Sequence, residues 1–232
     1  MAAAHAGPAI AVAGTFHPSL CPDLAGRGVA DHVAFTFDDG PDPGATPAFI
    51  EALAACEVTA TFFMLGAAVA RAPGLAAEVA AAGHEIGVHG WTHRPLLRCG
   101  PRTTRDDLAR ARDKVAEATG KNPWLFRPAY GILTGSALAA ARSLGLTPVL
   151  WTAWGREWRP GATTAMVLAT ITAALDGGGC LLLHDSDRYA PSGSWRAGLG
   201  AVAPLLDECA RRGWRAGPLG EHGERWRHPA AP

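Results

Sequence analysis

Short strand-like runs and longer helix-like runs alternate about seven times along this chain of 232 residues. No other feature limits its possible folds as much. Strand and crossover helix in repetition build a parallel sheet with helices packed outside it. Seven such units suit an incomplete barrel better than an open doubly wound sheet. The expected strands are 32–38, 59–65, 84–89, 124–127, 146–152, 180–184 and 214–217. The expected helices are 47–55, 67–82 with a break near Pro73-Gly74, 103–118 or 104–118, 135–144, 163–175 and 195–212. Thr46 is expected to cap the first of them, with Pro47 at its first turn. No Gly-x-Gly-x-x-Gly follows the first strand, so a dinucleotide site is not supported.

The first strand ends in Thr36-Phe37-Asp38-Asp39-Gly40-Pro41. Val33, Phe35 and Phe37 alternate with smaller residues, as in a buried strand, and Gly-Pro stops the run. Two carboxylates therefore sit at the carboxyl end of a strand, where α/β folds place their chemistry. Side by side they repel, so a positive group is expected close to them. Asp-Asp-Gly-Pro is also ordinary turn chemistry, and alone it does not separate a turn from a site.

Composition narrows the class. Hydrophobic residues make up 48% of the chain, formal net charge is +0 and the pI is about 7.1, so no broad electrostatic footprint for nucleic acid exists. Arg211, Arg212, Arg215, Arg225 and Arg227 gather near the end and read as solvated surface. Five cysteines without a Cys-x-x-Cys spacing argue against a zinc-thiolate site or a disulfide framework, and lean toward a reducing compartment. The first fourteen residues carry no Lys or Arg and do not read as a signal peptide. No apolar run is long enough to span a bilayer. The expected organisation is a lead-in over 1–30, one catalytic domain over 31–217 and a tail over 218–232, with a monomer as the expected state.

Four strands end in reactive residues: Asp38-Asp39, His89 with His93, Arg127, and His184 with Asp185. In a barrel all carboxyl strand ends share one face, so these residues converge. His89-Gly-Trp-Thr-His93 is the sharpest local signal. Two imidazoles with the Asp39 carboxylate suit zinc first, with cobalt, nickel or iron(II) as alternatives. Such a three-residue site leaves positions open for water and substrate. Asp38, left without a metal, is the natural general base, and Arg127 its positive partner. His184 comes from across the barrel and suits protonation of a leaving amine. His84 opens a strand at the opposite rim and reads as structural, as do His17, His32, His222 and His228.

Together these residues resemble the polysaccharide deacetylase family, the NodB-like domain of carbohydrate esterase family 4, over roughly residues 31–217. The family's Thr-Phe-Asp-Asp-Gly-Pro stands unaltered at Thr36 to Pro41, which implies Asp38 as base and Asp39 as metal ligand. Its His-(Ser/Thr)-x-x-His matches His89 to His93, with Gly90 in place of the hydroxyl residue. Its Arg-Pro-Pro-Tyr-Gly appears as Arg127-Pro128-Ala129-Tyr130-Gly131, which implies an oxyanion-binding backbone N–H at Tyr130. Its Asp-x-x-Asp-Trp aligns with Trp154-Gly155-Arg156-Glu157-Trp158, so Glu157 takes the acid's place and Trp154 departs from the pattern. Its Leu-x-His is Leu182-Leu183-His184, which implies His184 as acid. The resemblance implies a distorted (β/α)7 TIM-like barrel and a metal-dependent hydrolase removing N-acetyl groups from an amino-sugar carbohydrate. Trp91, Trp154 and Trp158 would stack on sugar or pack the rim. An O-acetyl esterase and a non-catalytic sugar-binding module are the alternatives.

Overall fold

The computed structural model describes residues 21–227. In chain order its elements are β1 (His32–Asp38), α1 (Thr46–Ala55), β2 (Thr61–Met64), α2 (Gly66–Arg71), α3 (Pro73–Ala81), β3 (Glu85–Val88), α4 (Pro101–Thr119) and β4 (Leu125–Phe126). There follow α5 (Gly135–Ser143), β5 (Thr147–Pro148), β6 (Ala153–Trp154), α6 (Thr164–Ala174), β7 (Cys180–His184), α7 (Trp195–Arg211) and β8 (Arg215–Gly217). One parallel sheet runs β5-β4-β3-β2-β1-β7-β6, and β8 pairs with the start of β1. β5 and β6 are neighbours in the chain but stand at opposite ends of this order, so the curl is left unclosed between them. The architecture is the incomplete barrel that the alternation led us to expect and the distorted (β/α)7 barrel that the resemblance implied.

β1 is the axis of the molecule, and all seven of its residues are buried. A strand covered on both faces reads as continuously apolar because crossover helices lie outside it. Phe35 and Phe37 pack outward with Phe49 and Leu53 of α1 and Val202 and Leu205 of α7. The opposite face carries Ala34, which joins Phe63, Leu125, Val149 and Cys180 from four other segments inside the barrel. Side chains two apart share a face, so Thr36 and Asp38 follow Ala34 inward. Gly87 makes room for this interior: a Cβ there would lie 2.6 Å from the Phe63 ring.

Several local expectations are corrected. The expected strand 146–152 is reduced to β5, Thr147–Pro148 on β4; β6 begins only at Ala153 and pairs with β7. Pro148 has no N–H for a ladder, and the Val149 and Leu150 carbonyls accept from Arg127 instead. Helix α4 starts at Pro101, with Gly100 as N-cap, ahead of Thr103. Thr46 does not cap α1. Its hydroxyl donates to Asp185 Oδ2 at 2.6 Å and accepts the Asp42 N–H at 2.7 Å. Residues 21–30 are not loose: Ala25 is fully buried, and Leu24 O accepts the Leu150 N–H at 2.7 Å beside the unclosed part of the barrel. At the other end Leu219 and Trp226 are buried with the interior residues.

Burial holds His32, His84 and His222 down at about 4, so all three are neutral at pH 7. His32 and His222 share a hydrogen bond between their Nδ1 atoms at 2.7 Å, and His84 Nδ1 accepts the Ala60 N–H. They serve the strand-start end of the barrel, apart from the chemistry; His17 and His228 lie outside the described residues. No helix among the described residues is long and apolar enough to cross a membrane.

Candidate active site

The carboxyl end of β1 breaks the strand's alternation at one residue. Asp39 has φ 80, in the left-handed region that L residues seldom enter. This turn brings the Asp39 carboxylate to the cavity that Asp38 already faces. Asp185, at the end of β7, holds the turn: its Oδ1 accepts the Gly40 N–H at 3.1 Å while Thr46 donates to its Oδ2. Gly40 is required by that approach, since a Cβ there would lie 2.1 Å from Asp185 Oδ2. Burial and the Asp39 charge push the Asp185 carboxyl up to about 7 against the pull of its hydrogen bonds.

Arg127, at the end of β4, is fully buried beneath the two aspartates. Its Nη1 donates to Asp38 Oδ1 at 2.9 Å and to Thr36 Oγ1 at 2.6 Å, and its Nη2 donates to Leu150 O at 2.7 Å. A buried guanidinium needs both a counter-charge and acceptors for its N–H groups. Asp38 supplies the charge and the frayed β5–β6 connection supplies carbonyls. Asp38 Oδ1 is thereby occupied, and Oδ2 faces the cavity, 3.8 Å from His89 Nε2.

His89 ends β3, and its Nδ1–H donates to the Arg127 carbonyl at 2.8 Å. That bond sets the tautomer and leaves the Nε2 lone pair free. His89 Nε2 lies 3.4 Å and His93 Nε2 3.5 Å from Asp39 Oδ1. One ligand atom from each of the three residues lies within 4.8 Å of the others. Asp39 Oδ1 is buried without a hydrogen-bond donor, which is an arrangement that a cation would satisfy. Burial holds His93 at about 4, in the neutral form that ligates metal. Burial acts to raise Asp39, but His89, 3.4 Å from Oδ1, and the neighbouring His184 and His93 imidazoles outweigh it and hold the carboxylate at about 2. Burial also acts to lower His89, and the Asp38 and Asp39 carboxylates override it, drawing a positive charge to that nitrogen. The donor set of one carboxylate and two imidazoles fits a divalent transition metal.

On the far side of the cavity, His184 Nδ1 lies 2.8 Å from Glu157 Oε1, which also accepts the His184 backbone N–H at 2.7 Å. Burial acts to lower His184, but the Glu157 carboxylate, helped by Asp39 and Asp38, raises it to about 9. The extra methylene of Glu157 reaches the imidazole without strain in the bond length. The cleft between these groups has a volume of about 210 Å³, and Tyr130, Trp151, Trp154, Trp158, Leu182 and Tyr189 wall it. The three indoles form a continuous run, with ring centroids 5.5 Å and 5.0 Å apart. His93 is held between Tyr130 and Tyr189, at 4.2 Å and 4.5 Å. Tyr130 itself has φ 59.

The structure thus brings Asp38, Asp39, His89, His93, Arg127, Tyr130, Trp154, Glu157, Trp158 and His184 to one rim. Trp91 is the exception. It packs over Gly66 and Ala111, under the Arg110 guanidinium, away from the cleft. Trp151 and Tyr189 were missed by sequence reasoning. Trp151 lies in the frayed strand and Tyr189 in the loop after β7, and neither sits in a pattern whose period marks it.

An acid held by a buried arginine, an imidazole facing it and three residues between them that could hold a metal ion, on a barrel rim, suit hydrolytic chemistry. A family model described as polysaccharide deacetylase matches residues 25–149. The chain belongs to the polysaccharide deacetylase family. It is 35% identical over 198 residues to a chitooligosaccharide deacetylase of Bradyrhizobium sp., covering 81% of this chain and 88% of that one. It is 34% identical over 188 residues to a peptidoglycan-N-acetylglucosamine deacetylase of Bacillus cereus, covering 79% and 84%. Among solved structures, the Bc1960 peptidoglycan N-acetylglucosamine deacetylase in complex with 4-naphthalen-1-yl-N-oxidanyl-benzamide superposes with a TM-score of 0.79 at 26% identity, covering 85% of this chain and 91% of that one.

Proposed function

We propose that this enzyme hydrolyses the N-acetyl group of an N-acetylglucosamine-containing carbohydrate with the help of a divalent cation, zinc first. The observation that carries the reading is the joint placement of Asp39, His89 and His93 within 4.8 Å of one another, with Asp38 and His184 on either side. A cation held by those three residues would lower the pKa of a water molecule and polarise the acetyl carbonyl. Asp38 Oδ2 takes the proton from the attacking water, while Arg127 holds Oδ1 and keeps the carboxylate aimed. The Tyr130 backbone N–H, in its left-handed turn, donates to the developing oxyanion. His184, protonated and oriented by Glu157, gives its proton to the leaving amine. The C–N bond breaks, and acetate and a free amino sugar leave. Trp154 and Trp158 offer ring faces to the sugar; Trp91 has no part in this.

The test is mass spectrometry of products after incubation with zinc or cobalt and N-acetylglucosamine oligomers, cell-wall fragments, or O-acetylated sugars. The expected result is loss of acetyl from nitrogen, abolished by EDTA and restored by the metal. Release from the O-acetyl arm alone would replace this reading by an esterase, and activity that survives full metal removal rules out the cation.

Glu157 carries a second expectation. His184 acts as an acid only while protonated, so activity is present below its pKa of about 9 and is lost as pH rises through it. In Glu157→Gln the largest favourable charge is gone, and the alkaline limb of the rate profile should move down by about one to three pH units. A limb that stays in place would show that it belongs to another group.

A further inference from the structure

Gly90, between the two imidazoles, carries no side chain, so position 90 itself offers no side-chain hold on the segment. The structure shows what holds it instead. From the α2 side, the Gly66 and Ala67 N–H groups donate to the carbonyls of Gly90 and Trp91, both at 2.9 Å. From the α4 side, the Trp91 N–H donates to Asp107 Oδ2 at 2.8 Å. The segment is thus gripped at successive peptide groups from two directions. Gly90 permits this. It has φ +90, and a Cβ there would lie 3.2 Å from Asp107 Oδ2, closer than ordinary contact.

Asp107 is suited to the task. Its side chain is only 8% exposed, and its other oxygen, Oδ1, lies 3.8 Å from Arg94 Nε, a longer ion pair with a half-exposed partner. The Arg110 guanidinium lies 3.5 Å from the Trp91 ring centroid, pinning the residue whose N–H Asp107 holds. Asp107 touches neither imidazole. It fixes the peptide midway between them, and so the spacing at which His89 and His93 present their nitrogens to Asp39.

We propose that Asp107 is a positioning residue for the cation site, holding from α4 the peptide that lies between its two imidazoles. The inference rests on Asp39, His89 and His93 being the cation site, but not on any substrate. Removing the acceptor leaves the Trp91 N–H unpaired and the loop free to widen, which weakens the site before it unfolds the protein. A short loop held by a charge-assisted bond resists this better than one held by neutral contacts.

The test is direct titration of the full chain with Co²⁺, reading both affinity and the visible ligand-field spectrum, alongside thermal melts. Asp107→Ala should bind Co²⁺ about 10–100-fold more weakly, with an altered spectrum, in protein that still melts cooperatively. Asp107→Asn should stay within about threefold of the native chain, because its amide oxygen accepts the same N–H. Arg94→Ala should leave affinity and spectrum unchanged. Native affinity and spectrum in Asp107→Ala would overturn the proposal, as would a loss in Arg94→Ala equal to that in Asp107→Ala. A native chain that binds no Co²⁺ at all would instead overturn the cation site itself. If Asp107→Ala fails to fold, Asp107→Leu and Asp107→Asn compared in the same titration decide the matter, equal affinities counting against the proposal.

Discussion

Asp38→Asn is expected to lower kcat by about 10²–10⁴-fold, the range for loss of a positioned general base, while leaving the cation bound. Asp38 keeps Oδ1 on Arg127 and turns Oδ2 to the cavity, 3.8 Å from His89 Nε2. An amide in its place can still accept from the guanidinium, so the geometry beneath the site survives. It cannot take a proton from water, so the attack loses its base. Metal affinity is the control, because Asp39, His89 and His93 remain intact. Turnover close to native in Asp38→Asn, with metal bound, would remove Asp38 from the base role and leave it as a partner of Arg127 only.

Arg127→Met should be the most destabilising replacement on the rim, by about 3–5 kcal/mol, the range for breaking a buried ion pair from one side. Arg127 is wholly inside the barrel. Its loss leaves Asp38 with an uncompensated charge, and leaves Thr36 Oγ1, Val149 O and Leu150 O without their donor. For a chain of this size the melting temperature should fall by about 6–20 °C. Adding Asp38→Asn to Arg127→Met should recover part of that loss, since the buried charge is gone as well. The double-mutant cycle measures the coupling, and strict additivity of the two replacements would mean that they do not act as a pair. Activity should fall in both variants, and both should lose stability, since Asp38→Asn leaves the buried Arg127 guanidinium without its counter-charge; Arg127→Met should lose more, because Thr36 Oγ1, Val149 O and Leu150 O lose their donor as well.

The remaining expectations divide in the same way, between what the site does and what keeps it assembled. Glu157→Gln changes a proton affinity and leaves the rim in place, whereas Asp107→Ala loosens a loop and leaves the proton donors untouched. Asp185 belongs with the second group. It joins the ends of β1 and β7 to the start of α1 through Gly40 and Thr46, and the left-handed turn at Asp39 lies inside that tie.

Local signals determined a great deal here. Strand and helix periods gave the parallel barrel, because apolar spacing of two or of three to four is a property of neighbouring residues alone. Reactive residues at successive strand ends pointed to one rim, because a parallel barrel has all its carboxyl ends on one face. Asp38, Asp39, His89, His93, Arg127 and His184 were therefore legible from position and type. The tertiary structure alone decided the rest. The shortening of the expected strand 146–152 to Thr147–Pro148 goes with the Val149 and Leu150 carbonyls accepting from Arg127, contacts between residues 22 and 23 apart. Trp91 read equally as a sugar platform or as packing, and its place against Gly66 and under Arg110 decides for packing, while Trp151 and Tyr189 had no periodic mark at all. Asp107 lies in α4 with no motif to mark it. Its use depended on the path of another segment past it, and chain-distant proximity is information that no single stretch of sequence carries.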